Sequence, residues 1–167
     1  YSLQRFLTAM AANTDPDTYW SGAPQTDDYA GKVVWITGAS SGLGRELACQ
    51  LAVHGAKLIL SARRESVLRE VESELLELNN SVHVFVLPLD LEKLDDLNGI
   101  AGMALGKFGR VDILVNNGGF SQRTTAKETE FAVDLKMTKV NYLSYIVLSK
   151  AVLPSMRSNG FGRIVNM

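Results

Sequence analysis

A cluster of glycine and hydroxyl residues near position 40 is the part of this sequence best suited to binding a charged ligand. Glycines occur at positions 38, 42 and 44, after the apolar run 33–36 and before a helical pattern. A glycine-rich turn between a strand and a helix lets backbone N–H groups and the positive end of the helix dipole approach a pyrophosphate. The segment therefore predicts a dinucleotide site. Its expected contact residues are Thr37, Gly38, Ser40, Ser41, Gly42, Leu43 and Gly44.

The spacing of these glycines distinguishes the segment from two other phosphate-binding patterns. It differs from Gly-x-Gly-x-x-Gly, although the same physical argument applies to both. No Gly-Lys-Ser/Thr follows Gly38 at the required distance, so a loop that hydrolyses ATP or GTP is disfavoured. An ordinary strand-to-helix turn is the alternative, but such a turn would need one glycine rather than three.

The end of the next apolar run indicates which dinucleotide is bound. About 20 residues after the turn, an NAD site usually supplies a carboxylate for the ribose 2′-hydroxyl, whereas an NADP site supplies arginine for the 2′-phosphate. Here the segment 60–64 ends in Arg63 and Arg64 and contains no carboxylate. Guanidinium groups match phosphate in geometry and charge. We therefore expect NADP or NADPH as the cofactor. The alternative is that one of the two arginines simply faces solvent, and Arg64 is the better candidate for this.

An alternation of short apolar runs with longer amphipathic segments organises the chain from Gly31 onward. Such alternation is typical of βαβ units and a parallel sheet. The predicted strands are 33–37, 57–61, 82–87, 111–115 and 162–166, and the predicted helices are 42–54, 65–78, 93–107 and 131–153. Either Pro154 or the turn at 158–160 would end the fourth helix. Residues 1–30 are polar and rich in turn formers, which predicts an arm or leader before a partial dinucleotide-binding domain at 31–167. The fold class that follows is α/β, an incomplete doubly wound parallel sheet of about five strands with flanking helices.

Composition excludes several other classes of function. The 167 residues carry 17 basic and 18 acidic side chains, a net charge of −1, so we predict no nucleic-acid partner. Cys49 is the single cysteine and neither histidine has a metal-ligand partner, so we predict no disulfide and no metal site. No apolar run approaches the roughly 20 residues of a membrane span. Because the sequence starts at Tyr1, an upstream signal or anchor stays open.

Five short motifs occur in an order that resembles the short-chain dehydrogenase/reductase family. They are Thr-Gly-x-x-x-Gly-x-Gly at 37–44, Leu-Asp-Leu at 89–91, the segment 108–115, Asn-Asn-Gly-Gly at 116–119, and Val-Asn at 140–141. The stretches 61–64 and 116–123 further resemble the dehydrogenase/reductase member 7 subgroup, which is related to the hydroxysteroid dehydrogenases. The resemblance implies a Rossmann fold and a nicotinamide-dependent conversion between an alcohol and a ketone.

The same resemblance implies roles for five residues of the cofactor cleft. Asp90 would hold the adenine amino group and Leu91 would pack beside it; the alternative for Asp90 is a turn or cap acid. Asn116 and Asn117 would stabilise the central strand and line the cleft. Gly118, where the family more often has alanine, would let the backbone approach the ribose.

The resemblance also identifies Asn141 as the family asparagine whose main chain holds a water in the proton relay; the alternative is an ordinary helix asparagine. The family's catalytic serine and its Tyr-x-x-x-Lys have no counterpart in this sequence. Tyr145 and Lys150 are five positions apart and precede the last strand, so we expect packing and a solvated charge there. The isolated chain is therefore predicted to be inactive, because proton transfer by a positioned group typically contributes about 10²- to 10⁴-fold in rate.

The partners implied by the resemblance are a small-molecule carbonyl or alcohol substrate, which is steroid, retinoid or otherwise lipid-like, and a second copy of the chain docked through the 131–153 helix. The implied location is intracellular and compatible with association with the endoplasmic reticulum membrane. The competing interpretation is a non-catalytic product that binds a nucleotide or a partner.

Overall fold

Five parallel strands form one sheet in the computed structural model, which describes residues 28–125 and 127–167. The strands are β1 (Val33–Thr37), β2 (Lys57–Ser61), β3 (His83–Val86), β4 (Ile113–Asn116) and β5 (Arg163–Asn166), in the spatial order β3-β2-β1-β4-β5. The order reverses between β1 and β4, which makes the sheet doubly wound. The predicted α/β fold class is therefore confirmed.

Helices cover both faces of this sheet, so its central strands are apolar on both sides. All five residues of β1 are buried. Val34 and Ile36 contribute to a core shared with α1 (Gly42–Val53) and α2 (Glu65–Leu78). Val33 and Trp35 contribute to a second core with α3 (Leu97–Phe108) and α5 (Ser144–Ser158). The alternation along one strand thus fixes which helices lie on which face.

The predicted fourth helix begins at Phe131 as expected, but it does not end at 153 and is not one regular helix. The chain forms α4 (Phe131–Thr138), a widened π-helical turn at Lys139–Leu143, and then α5, which passes Pro154 and ends at Ser158, where the predicted turn at 158–160 begins. Pro154 lies inside α5 although proline usually costs a helix interior about 3 kcal/mol. Leu148, Val152 and Met156 are buried at intervals of four residues on either side of Pro154. Their burial against the sheet outweighs the single hydrogen bond that proline cannot make.

Smaller corrections apply at other element ends. The third helix starts at Leu97 rather than 93 because a 3-10 turn, Leu94–Asp96, precedes it. The fourth strand starts at Ile113, while the buried Asp112 carboxylate accepts a hydrogen bond from the Val33 amide at 2.8 Å and pairs with Arg110 at 3.0 Å. Asp112 thereby fastens β1 to β4 at the end of the sheet opposite the glycine-rich turn.

The predicted arm falls almost entirely on residues 1–27, which lie outside the described residues. Near the end of that predicted arm, Tyr29 is buried in the core formed with α1 and α2. Burial raises the pKa of Tyr29 to about 12. Tyr29 therefore packs with the domain that follows the predicted arm.

Candidate functional site

A cleft of about 700 Å³ opens at the carboxyl ends of the strands, beside the β1–β4 pair at which the strand order reverses. In open α/β sheets this switch in strand order is where ligands bind, and the volume is in the range of cofactor sites. Ten predicted site residues line the cleft: Thr37, Gly38, Ser40, Ser41, Arg63, Arg64, Asp90, Leu91, Asn117 and Gly118. Five do not: Gly42, Leu43, Gly44, Asn116 and Asn141.

The turn after β1 packs directly against the end of β4. Gly38 has a φ of +67°, and a Cβ there would lie 2.6 Å from Gly118 Cα. A Cβ on Gly44 would lie 2.5 Å from the Gly38 carbonyl oxygen. Both contacts are with backbone, which cannot yield as a flexible side chain would. Glycines 38 and 44 therefore hold the turn in shape, and their contacts are internal to the protein.

The start of α1 has the features of an anion site. Ser41 occupies the position before the helix, but its side chain caps no first-turn amide, and the first turn contains no acidic residue. A Cβ at Gly42 would meet nothing within 4 Å, so the approach to these amides is open. Unsatisfied N–H groups and the helix dipole favour a phosphate at such a position. Leu43 projects outward and is 61% exposed.

The Thr37 hydroxyl joins the ends of β1 and β4, and all of its hydrogen-bonding capacity is taken up by the protein itself. It donates to the Val115 carbonyl at 3.2 Å and accepts from the amides of Asn117 at 3.0 Å and Gly118 at 2.9 Å. The Asn117 side-chain nitrogen donates in turn to the carbonyls of Thr37 and Gly38, at 2.9 and 3.3 Å. A hydroxyl has one proton and two lone pairs, so no capacity remains for a ligand. Thr37 and Asn117 shape the cleft floor through these bonds.

Two guanidinium groups lie at the wall formed by the end of β2. Arg63 and Arg64 are both exposed and both line the cleft. Within the described residues, neither has an ion-pair partner or a hydrogen-bonded partner. Their charge is therefore available to an anionic ligand in the cleft.

The loop after β3 forms the neighbouring wall. Asp90 Oδ1 accepts a hydrogen bond from the Glu92 amide at 3.1 Å, so one oxygen closes a local turn, while Oδ2 has no partner in the described part of the chain. Both roles considered for Asp90 are thus open to the same carboxylate. A Cβ at Gly118 would lie 2.8 Å from Leu91 Cδ1. The Leu91 side chain therefore occupies the space that alanine would need at position 118.

Asn116 lies below the cleft rather than in its wall. Its side-chain nitrogen donates to Asn166 Oδ1 at 2.8 Å and to Ser149 Oγ at 3.4 Å, linking β4 to β5 and α5. Its Oδ1 is buried and is the single buried side-chain polar atom without a partner among the described residues. The contacts shown are those of a strand-stabilising residue.

Asn141 lies in the widened turn between α4 and α5. Its side-chain oxygen accepts from the Phe120 amide at 3.1 Å, and its side-chain nitrogen donates to the Phe120 carbonyl at 2.8 Å. Both polar atoms of the side chain are therefore engaged with the segment that follows β4. A π-helical turn breaks the regular backbone bonding of a helix and is frequent at functional sites.

Several residues that the sequence reasoning did not select also line or support the cleft. From α4, Val133 and Lys136 face it, and Lys136 Nζ pairs with Glu92 Oε2 at 2.8 Å across the opening. Phe120 lines the floor, with Lys136 Nζ 5.8 Å from its ring centre. No local pattern in the sequence joins positions 92 and 136, because only the packing of α4 brings them together. Lys150 is exposed, as expected for a solvated charge.

Comparison with known proteins bears directly on this geometry. The family profile described as short chain dehydrogenase matches residues 32–167. This chain belongs to the short-chain dehydrogenase family. It is 42% identical over 167 residues to human dehydrogenase/reductase SDR family member 7, covering 99% of this chain and 49% of the relative. The predicted resemblance to the family and to its member 7 subgroup is thereby confirmed.

Solved structures of other family members share the fold. L-sorbose reductase from Gluconobacter frateurii, complexed with NADPH and L-sorbose, matches with a TM-score of 0.78 and 30% identity, over 83% of this chain and 52% of its own. A 7α-hydroxysteroid dehydrogenase complexed with NADH and 7-oxo glycochenodeoxycholic acid matches with a TM-score of 0.77 and 32% identity, over 83% and 53%. Family members thus use either nicotinamide cofactor and bind small-molecule substrates.

The length of the chain relative to its relatives and its lack of a membrane-spanning helix in the described part complete the comparison. It spans about half the length of the curated relatives that it matches, 49% in the human relative. Among the described residues, no helix is long and apolar enough to cross a membrane.

Proposed function

We propose that this chain is the cofactor-binding part of an NADP-dependent short-chain oxidoreductase that interconverts an alcohol and a ketone on a small or lipid-like substrate. The observation that carries the proposal is the pair of guanidiniums, Arg63 and Arg64, on the wall of a cleft at the switch in strand order, with no partner for either among residues 28–125 and 127–167. A 2′-phosphate is the part of NADP that such groups would bind. The bound nicotinamide would supply or accept the hydride.

Different residues of the chain would bind different parts of the cofactor. The open amides at the start of α1 would bind the pyrophosphate, with Ser40 and Ser41 beside them. Asp90 Oδ2 would accept from the adenine amino group, while Leu91 packs against the ring. Thr37, Asn117 and the glycines at 38, 44 and 118 would act indirectly, by holding the floor of the cleft in place.

Proton transfer is proposed to depend on residues outside this sequence. By family resemblance these are a serine and a Tyr-x-x-x-Lys, and no tyrosine of this sequence has lysine four positions later. The Asn141 main chain would hold the relay water, as the family resemblance implies. The 167-residue chain assayed by itself should bind the cofactor but not turn it over.

The test compares this chain with a chimera in which residues 1–167 are continued by the second half of the human relative. We expect both to bind NADPH saturably and at least tenfold more tightly than NADH, and only the chimera to oxidise NADPH when a steroid or retinoid ketone is added. The binding is measured by NADPH fluorescence and the turnover by absorbance. Absence of saturable NADPH binding by either protein would contradict the proposed cofactor. Ketone-dependent oxidation by the 167-residue chain would contradict its proposed inactivity.

We further propose that the outer face of α4 and α5 contacts a second copy of the chain. Phe131 and Leu135 on α4 are exposed by 77% and 43%, and Tyr142 in the π-helical turn that follows is exposed by 61%. Large apolar side chains left exposed on neighbouring turns favour an association site. This face is also the one observation that favours the alternative, a non-catalytic product that binds a partner.

Light scattering coupled to size exclusion tests the association. The wild-type chain should elute as a dimer and Phe131→Glu as a monomer, because a carboxylate would be desolvated at the interface. Met103→Glu is the matched control. Met103 is likewise exposed, by 58%, but it lies on α3 and not on the proposed association face. A wild-type monomer at high concentration, or a dimeric Phe131→Glu, would show that this face does not associate. The intracellular location and the association with the endoplasmic reticulum membrane, which the resemblance implies, stay predictions.

A further inference from the structure

The segment that follows β4 is held by side chains on both of its sides. The Gly118 amide donates to Thr37 Oγ1 at 2.9 Å, and both backbone groups of Phe120 are bonded to Asn141. The remaining tie comes from α5, where the Tyr145 hydroxyl donates to the Gly118 carbonyl at 3.1 Å. Tyr145 does not itself line the cleft, whereas Gly118 and Gly119 do.

Gly119 is the residue of this segment whose backbone groups are available to hydrogen-bond a ligand. Neither its N–H nor its carbonyl has a hydrogen-bond partner among the described residues, and it is exposed in the cleft. The Gly118 carbonyl and the Gly119 N–H belong to one trans peptide group, so they point in opposite directions. A hydrogen bond that directs the carbonyl toward Tyr145 therefore directs the N–H away from α5 and toward the cleft.

The two glycines explain why this orientation needs an external restraint. Glycine reaches conformations on either side of φ = 0 with similar ease, so a Gly-Gly peptide can rotate at small cost. The Tyr145 hydroxyl is half-buried, and burial raises the pKa of Tyr145, so the group stays protonated as a donor at neutral pH. The restraint is thus present across the physiological pH range.

The strand order decides which part of the cofactor meets Gly119. Arg63 and Asp90 follow β2 and β3, on one side of β1, whereas Gly119 follows β4, on the other side. With the adenosine at Arg63 and Asp90 and the pyrophosphate at α1, the nicotinamide riboside must extend over Gly119. This step rests on the proposed function.

We propose that Tyr145 is a positioning residue for the nicotinamide half of the cofactor, acting through the Gly118–Gly119 peptide. It fixes the direction of the Gly119 N–H, which then donates to the nicotinamide riboside. Tyr145 takes no part in proton transfer, because its hydroxyl is committed to the Gly118 carbonyl.

The experiment compares two ligands on Tyr145→Phe, which removes only the hydroxyl. Adenosine 2′,5′-bisphosphate carries the adenine half alone, and NADPH carries both halves. We expect Tyr145→Phe to raise the Kd for NADPH about 3- to 10-fold, as the loss of one hydrogen bond predicts, and to leave the Kd for the bisphosphate unchanged. Ser158→Ala is the matched control, since it removes an exposed hydroxyl from the far end of the same helix, and it should change neither Kd.

The outcomes separate the possible explanations. Equal weakening of both ligands would show a general structural role and overturn the inference, as would an unchanged Kd for NADPH. A wild-type chain that binds neither ligand would overturn the proposed function and this inference together. Should Tyr145→Phe fail to fold, the amide NMR signal of Gly119 in the wild type decides: a shift on adding NADPH, absent with the bisphosphate, supports the inference, and no shift overturns it.

Discussion

Arg63→Asp is expected to weaken NADPH binding by about 100-fold, because it removes a charge-assisted hydrogen bond worth about 1.5–3 kcal/mol and brings a carboxylate to the 2′-phosphate. Binding of NADH should be unchanged or tighter, since a carboxylate at this position accepts from the ribose 2′-hydroxyl. The preference between the cofactors would then invert. Fluorescence titration of each cofactor on the wild type and the variant measures both effects.

Arg123→Asp is the charge-matched control for this change. Arg123 is exposed like Arg63, but it does not line the cleft. The control should keep the wild-type preference, which would exclude an effect of net charge alone. An Arg63→Asp variant that still prefers NADPH would show that Arg63 does not bind the 2′-phosphate.

Gly38→Ala is expected to destabilise the fold by about 3 kcal/mol and to abolish cofactor binding. Alanine at position 38 would have to keep a φ of +67°, and this conformation costs a residue other than glycine about 1–2 kcal/mol. It would also lie 2.6 Å from Gly118 Cα, so the turn and the end of β4 would have to separate. Chemical denaturation measures the loss of stability, and an NADPH titration measures the loss of binding.

Gly102→Ala separates this effect from the general consequences of replacing glycine. Gly102 lies inside α3, where a Cβ would meet nothing within 4 Å, and its φ is ordinary. Alanine there should stabilise the protein by about 1 kcal/mol through helix propensity and leave NADPH binding unchanged. If Gly38→Ala were as stable as the wild type, the close packing of the turn against β4 would be refuted.

Local patterns were sufficient to predict the elements that surround the cleft. The apolar runs at 33–37 and 57–61 coincide with β1 and β2, because strands covered on both faces must be apolar throughout. The helix 65–78 coincides with α2, whose buried residues Leu68, Val71 and Leu75 follow the helical period. Where one period continued without interruption, sequence and structure agree.

The prediction failed where tertiary packing competes with a local rule. Of the two ends predicted for the fourth helix, Pro154 and the turn at 158–160, the structure has the second, because burial of Val152 and Met156 carries α5 past Pro154. The π-helical turn at Lys139–Leu143 carries no recognisable sequence signal, because it is defined by where Asn141 meets Phe120. The internal role of Thr37 was likewise beyond the sequence, since its bonding partners lie 78 to 81 residues away.

The sequence by itself determined the family, the fold class and ten of the residues that border the cleft, because glycine spacing, strand periodicity and the arginines at the end of β2 are local features. Only the tertiary structure decided what each of those residues does. Hydrogen bonds and close contacts between β1, β4 and α5 assign Thr37 and Asn117 to the floor, leave Arg63 and Gly119 available to a ligand, and place Tyr145 behind Gly118. Such contacts depend on the strand order, and strand order is a property of the whole folded chain.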